Sequence, residues 1–279
     1  RTFASQVTGR HRHHLHHLLH QPPVPPHTSF ASQAVHVSNL LETVTTACAQ
    51  LSQASGFDSM MALVLLAGNA MNVGTARGDA RGCDLNVLIK LGDIKSMGGG
   101  RGRVSLLQVL VRVAEEKLGA LTGSSSLGGA SSAAEWPKEL TAVDGAALVP
   151  WSRVQSELTS LRRGVDEVAR VHKGVAAAAA RNNKKKEGGG DERYLAAVGA
   201  WVGDATAVVE GLETAMAATR RLFEEGAAAR LGLKASDGPD GVFGLLATFK
   251  GMWEGASRAN AAADAREARE AWLAKYKEE

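Results

Sequence analysis

The sequence predicts an all-α protein, an elongated helical domain. Three observations carry that reading. Apolar residues recur every three or four positions over long stretches, the spacing that lines one face of a helix. Alanine, the best helix former, is used heavily. No alternation of period two, the mark of a strand, persists anywhere.

Residues 1–33 read as a biased leader with little stable structure. Arg10-His-Arg-His-His-Leu-His-His-Leu-Leu-His20 is followed by Gln-Pro-Pro-Val-Pro-Pro26, and proline blocks helix and favours extended backbone. From Ala34 the pattern changes: Val35, Leu40, Leu41, Val44, Cys48 and Leu51 recur at helical spacing. Ser55 is the expected N-cap of a second helix through Phe57, Met60, Met61, Val64 and Leu65. Gly68-Asn-Ala-Met-Asn-Val-Gly74 should end it, since Gly and Asn close helices. Leu85, Leu88, Ile89 and Leu91 mark a short helix, Gly98-Gly-Gly-Arg-Gly-Arg103 an interruption, and Val104 to Leu118 another helix. Residues 122–134, rich in Ser, Gly and Ala, read as a loop.

Two long helices follow. In the first, Trp151, Val154, Leu158, Leu161, Val165, Val168, His172 and Val175 step by alternating threes and fours. In the second, Leu195, Val198, Val202, Ala205, Val209, Leu212, Met216, Thr219 and Phe223 do the same. Both are heptad seams, the pattern of helices packed at a shallow angle. Each runs about 30 residues, so about 45 Å. The polar turn Asn182-Asn-Lys-Lys-Lys-Glu-Gly-Gly-Gly190 between them makes an antiparallel hairpin of 151–180 with 191–225. A last helix should start after Asp237-Gly-Pro-Asp240 and carry Val242, Leu245, Leu246, Phe249, Met252 and Trp253, with Trp272 and Tyr276 as late anchors.

Composition excludes several classes. The chain has 32 basic and 29 acidic residues, a net charge of +3, which is no nucleic-acid footprint. Its two cysteines, Cys48 and Cys83, make no disulfide framework and read as reduced thiols of a cytoplasmic protein. The longest apolar run, Met60 to Ala67, is far short of the ~20 residues a membrane span needs. His13 with His16 or His17 has helical ligand spacing, but no Cys, Asp or Glu completes a metal site and the flank is proline-rich. Gly98 to Arg103 lacks the Gly-Lys-Ser/Thr ending and preceding strand of a phosphate loop. No nucleophile–base pair stands out, so the reading is of a protein that is not an enzyme and takes no cofactor.

The stretch Leu63-Val-Leu-Leu-Ala-Gly-Asn-Ala-Met-Asn-Val-Gly-Thr-Ala-Arg-Gly-Asp-Ala-Arg-Gly82, continued by Cys83-Asp-Leu-Asn-Val-Leu-Ile-Lys-Leu-Gly-Asp-Ile-Lys-Ser96 and then Leu106-Leu107, is a long ordered motif. It resembles the signature of the formin homology 2 domain, roughly G-N-x-M-N-x-G-T-x-R-G-x-A-x-G-F-x-L-x-x-L-x-K-L-x-D-x-K-S. Trp136-Pro-Lys-Glu-Leu140 resembles the family's short apolar-Pro-x-x-Leu element. The likeness runs from about Ala34 to the C-terminus, and beyond Leu140 it is pattern rather than signature. Cys83 stands where the family usually has an aromatic, which should loosen local packing, and Ala70 stands for a frequent Tyr. The first residue is Arg1 rather than Met, and nothing upstream of Ala34 resembles the family's lasso, linker or most of its knob. The expectation is therefore a partial domain at 34–279: the end of the knob, a coiled-coil region and a post-like bundle.

The resemblance implies a formin-type factor that promotes nucleation and barbed-end elongation of actin filaments in the cytoskeleton. It makes Lys95 the actin-contacting lysine, with Lys90 and Arg77 on the same surface. It makes Gly68, Asn69, Met71, Asn72 and Gly74 the post surface where a second subunit's lasso docks. Read from the residues alone, Asn69 and Asn72 cap a helix end and Lys95 is a solvated lysine. Actin is the implied partner; profilin-actin would be delivered through sequence outside this chain, and no nucleic-acid partner is implied. The alternative is a coiled-coil scaffold that has lost actin assembly.

Overall fold

The computed structural model describes residues 27–96, 103–116, 133–181, 189–233 and 238–278. Most of these are helical: α1 His27–Gln53, α2 Ser55–Met71, α3 Val87–Lys90, α4 Leu106–Glu115, α5 Trp136–Glu139, α6 Val143–Ala146, α7 Trp151–Arg181, α8 Gly189–Leu222, the π-helix Phe223–Ala228, α9 Ala229–Leu231 and α10 Pro239–Glu278. Among the described residues the extended pairing is one isolated antiparallel bridge, Lys95 with Ser105. The all-α expectation holds. The chain divides into two compact units, Arg1–Glu42 with Val149–Arg221, and Thr43–Leu148 with Leu222–Glu279.

The first unit is built on the two heptad seams. Three contacts give α7 and α8 opposite directions. Arg162 pairs with Glu213, the His172 ring meets the Leu195 carbonyl at 2.9 Å, and a Cβ at Gly199 would lie 3.2 Å from the same ring. As α7 ascends, α8 descends, which is the expected antiparallel hairpin. Hydrogen bonding from the Arg162 guanidinium holds the Glu213 carboxyl below its usual range. Trp151, Val154, Leu158, Leu161 and Val165 are buried, as are Ala205, Val209, Leu212 and Thr219. Towards the turn the seam opens: Val168 and His172 are half-buried and Val175 is exposed. Phe30 near the start of α1 meets Trp201 edge-on at 5.6 Å, on the buried side of that opening.

The helix at His27–Gln53 corrects the expectation that residues up to 33 lack structure. Pro26 is the last breaker, and Phe30 gains packing on Trp201. The His- and Pro-rich residues 1–26, and most of the loops at 98–103, 122–134 and 182–190, lie outside the described residues. Within Glu192–Leu231 an 18-residue stretch reaches a mean hydropathy of 1.3, so this helix is long and apolar enough to cross a membrane by length and composition. The count of uninterrupted apolar residues missed this because Asp204, Glu210 and Glu213 break the run. A charge at the bilayer centre costs about 2.5–3.5 kcal/mol, and Val209 and Leu212 already have protein to bury against.

The second unit closes on an aromatic core. Trp136 stacks on Phe249 at 5.4 Å and meets Phe57 and Trp253 edge-on at 5.8 and 5.9 Å. Such pairs contribute about 0.5–1.5 kcal/mol beyond their buried area. The fully buried Phe243, absent from the expected core, meets Phe223 at 6.2 Å. α10 packs against α3, α4 and α6, and α2 against α4 and α5. α10 starts at Pro239, inside the Asp237–Asp240 segment rather than after it as expected, because proline at the first helical position gives up only an N–H that had no partner anyway. Lys250 donates to the Leu140 carbonyl at 3.2 Å and to Asp144 at 2.6 Å, and Asn260 donates to the Gln108 carbonyl at 2.8 Å.

Several expected details are corrected here. Ser55 is the first residue of α2, not its cap; the N-cap is Ala54, which makes no side-chain cap bond. α4 starts at Leu106 rather than Val104, because Ser105 and Gln108 form a reciprocal capping box. The short helix α6 had no periodicity to announce it. The α8 seam passes at Phe223 into a π-helix, and Leu231 is followed by a left-handed Gly232. Trp272 and Tyr276 are not anchors: they are 61% and 69% exposed and stack on each other at 5.3 Å.

Candidate functional site

All the candidate residues fall in the second unit. α2 ends where Gly68 and Asn69 carbonyls receive the Asn72 N–H at 3.2 and 3.1 Å. The Asn72 side chain also donates to the Gly68 carbonyl at 2.7 Å. Asn69 works across eleven residues: its side chain accepts the Ala80 N–H and donates to the Ala80 carbonyl, each at 2.9 Å. Thr75 donates to the Asn72 carbonyl at 2.8 Å and accepts the Arg77 N–H at 3.2 Å. The chain turns at Gly74 with φ of +77°, backbone that glycine adopts without a Cβ clash. Asparagine at 69 and 72 is therefore spent inside the loop, satisfying groups that a helix end leaves orphaned. What the loop presents outward is Met71, 55% exposed, Val73, 78% exposed, and the exposed Arg77.

Lys90 and Lys95 sit on one short stretch. Lys90 ends α3, whose Leu88 is buried, and its carbonyl receives the Asp93 N–H at 3.0 Å. Buried Leu85, Leu88 and Leu91 fasten the stretch to the core, leaving both lysines exposed. Lys95 stands opposite Ser105 in the antiparallel bridge: the Ser96 N–H donates to the Val104 carbonyl at 3.0 Å, and the Leu106 N–H to the Ile94 carbonyl at 2.7 Å. Two backbone hydrogen bonds thus fix the base of a side chain that is itself in water. Arg77 belongs to the other loop, closed on Asn69.

The same unit holds a groove of about 830 Å³, lined among others by Phe57, Met61, Leu65, Cys83, Leu85 and Leu233. Cys83 is half-buried, and burial, with Asp84 next to it, pushes its thiol up. A hydrogen bond from the Asn86 N–H, with a second from its side chain, lowers the Asp84 carboxyl. Arg230 lines the groove as well: it pairs with Asp58 and donates to the Leu51, Ser52 and Ala54 carbonyls, at the junction of α1 and α2. Among the described residues no group of three or more His, Cys, Asp and Glu could hold a metal ion.

Residues 27–254 match the family model of the Formin Homology 2 Domain. The chain belongs to the formin homology 2 family. It is 32% identical over 140 residues to Formin-like protein 2 of Oryza sativa subsp. indica, covering 50% of this chain and 16% of that protein. It is 39% identical over 83 residues to Formin-like protein 8 of Arabidopsis thaliana, 30% of this chain and 10% of that one. It is also 39% identical over 88 residues to Protein diaphanous homolog 3 of Mus musculus, 32% of this chain and 7% of that one. The chain thus spans a sixth or less of the length of these relatives.

Within this formin homology 2 chain, the structure brings Gly68, Asn69, Met71, Asn72, Gly74 and Arg77 into one loop and Lys90 and Lys95 into another segment. Sequence reasoning missed Glu139 and Arg230, the two side chains that hold the ends of α2 and α1, because their partners lie 83 and about 180 positions away.

Proposed function

We propose that this chain binds actin and works in a formin-type machine that nucleates actin filaments and elongates their barbed ends, in the cytoplasm and on the cytoskeleton, as a binding module rather than an enzyme. The observation that carries this reading is Lys95: an exposed cation on a bridged backbone, at the position of the family motif that contacts actin. A charge fixed at its base and free at its tip suits an acidic protein surface, where steering raises association rates. Lys90 and Arg77 add to the basic character of this unit's surface.

The Gly68–Gly74 loop is the acceptor for a second formin homology 2 subunit, whose lasso would dock against it. Met71 and Val73 supply the apolar contact, and the asparagines hold the loop in shape. Delivery of profilin-actin would use sequence outside this chain. A scaffold reading draws on the alanine-rich end of α7, Val175–Arg181, most of which is exposed.

The test is filament-end binding and pyrene-actin assembly by the full-length protein and its Lys95→Asp variant. The reading expects weaker end binding and slower assembly, with an unchanged melting temperature. Assembly as fast as wild type would leave Lys95 a surface lysine. Failure of the wild-type protein to cosediment with filaments would favour the scaffold.

A further inference from the structure

We infer that Arg103 is a second cation of the Lys95 contact, so that the pair grips a carboxylate-bearing surface from both strands of the bridge. The inference rests on the actin reading above and names a residue that reading does not contain. The backbone carries it. Lys95 and Ser105 are flanked by the two hydrogen bonds, Ser96 to Val104 and Leu106 to Ile94, rather than sharing them. That is the non-hydrogen-bonded pairing of an antiparallel ladder, in which opposed side chains stand closest and on the same face. Residues two apart on an extended segment also share a face, and the hydrogen bond from the Ser96 N–H holds the segment that follows Arg103 against that of Lys95 as far as Val104. Arg103 is therefore the diagonal neighbour of Lys95, a spacing of about 7–8 Å that long side chains bridge.

The charges fit one occupant. Lys95 and Arg103 are both exposed, and neither forms an ion pair among the described residues. Two like charges held at diagonal spacing repel each other weakly in water and gain when an anion sits between them. The guanidinium offers a planar fork that matches a carboxylate, and the ammonium a point charge. An acidic protein surface presenting neighbouring Asp or Glu side chains suits both, and the proposal commits to that occupant on actin.

Filament-end affinity of the full-length protein, measured for Lys95→Asp, Arg103→Glu and the double variant at two salt concentrations, tests the pairing. Each single reversal should weaken binding roughly tenfold and flatten its salt dependence. The double should lose less than the product of the singles, because one reversal already spoils the shared contact. Arg103→Lys should restore most of the affinity, and melting temperatures should not move. Wild-type affinity in Arg103→Glu while Lys95→Asp is weakened overturns the pairing and leaves the actin reading intact, and so do strictly multiplicative losses. No effect of Lys95→Asp overturns both.

Discussion

The Glu139 carboxylate closes the N-terminus of α2 by accepting the Gly56 N–H through both oxygens, at 2.9 and 3.1 Å. One of them also takes the Phe57 N–H at 3.3 Å. A helix start carries four orphaned donors and a partial positive charge, so an anion there satisfies both. The cap arrives from α5, whose Trp136 is buried against Phe57, the residue that carries one of the capped N–H groups. Core packing and helix capping are thus one contact. Glu139→Ala should destabilise the protein by about 1–2 kcal/mol, and Glu139→Gln by less. Denaturant unfolding checks this, and equal stability of the alanine variant would remove the cap from the account.

Gly56 is the other half of that contact. A Cβ there would meet the Glu139 oxygens at 3.0 Å. Gly56→Ala normally stabilises a helix by about 1 kcal/mol; here it should destabilise in the wild-type background and stabilise once Glu139 is alanine. A double-mutant cycle reads the change of sign.

The α7–α8 seam has a measurable gradient. Leu161 is 4% exposed and Val175 38% exposed. Leu161→Ala should cost about 2–5 kcal/mol, whereas Val175→Ala should stay within about 0.5 kcal/mol of wild type. Similar costs at both sites would contradict the opening of the hairpin towards its turn.

Asn69→Ala removes both bonds to Ala80. The loop should open more readily, by about 1 kcal/mol, so the Ala80 amide should exchange its hydrogen roughly fivefold faster. Exchange at Leu161 should be unaffected, since it lies in the other unit. An unchanged Ala80 rate would mean that the Gly74 turn holds the loop without the asparagine.

Cys83→Phe returns the family's aromatic to a groove lined by Phe57, Met61 and Leu65. Burying a ring there should raise the melting temperature by about 2–4 °C, the shift that accompanies about 1 kcal/mol in a chain this size. A lower melting temperature would show that the groove is already filled by its own walls.

Cys48 makes stability depend on alkaline pH. Its burial raises the thiol pKa from 9.0 to about 12. The folded protein therefore holds this proton more tightly than the unfolded chain. The contribution is complete below pH 9.0 and fades as pH rises from there towards 12. Cys48→Ala should be less stable at neutral pH but decline less steeply above about pH 9. Parallel pH profiles of the two proteins would dismiss the effect.

Much of this architecture is legible in the residues because its determinants are local. The stepping of Leu158, Leu161 and Val165 announces a seam whatever the partner is. Gly74 with two asparagines marks the end of α2. The long motif from Leu63 to Ser96 places Lys95 in the family before any coordinate is known. Ser55, by contrast, has the right chemistry for a cap and lost the role to a residue 83 positions away. Trp272 looked like an anchor because aromatic side chains usually bury, yet it is left with only Tyr276 to stack on.

What the sequence by itself determined, then, is which segments are helical, which face of each is apolar, and which family motif the loop after α2 carries. Those follow from backbone propensity and periodicity, which act over a few residues. Only the tertiary structure decided that Glu139 caps Gly56, that Arg230 holds the end of α1, and that Lys95 is bridged to Ser105. Each is a pairing between distant positions, formed because packing of apolar faces brings the chains together first and hydrogen bonds and charges then settle onto whatever neighbour the packing supplies.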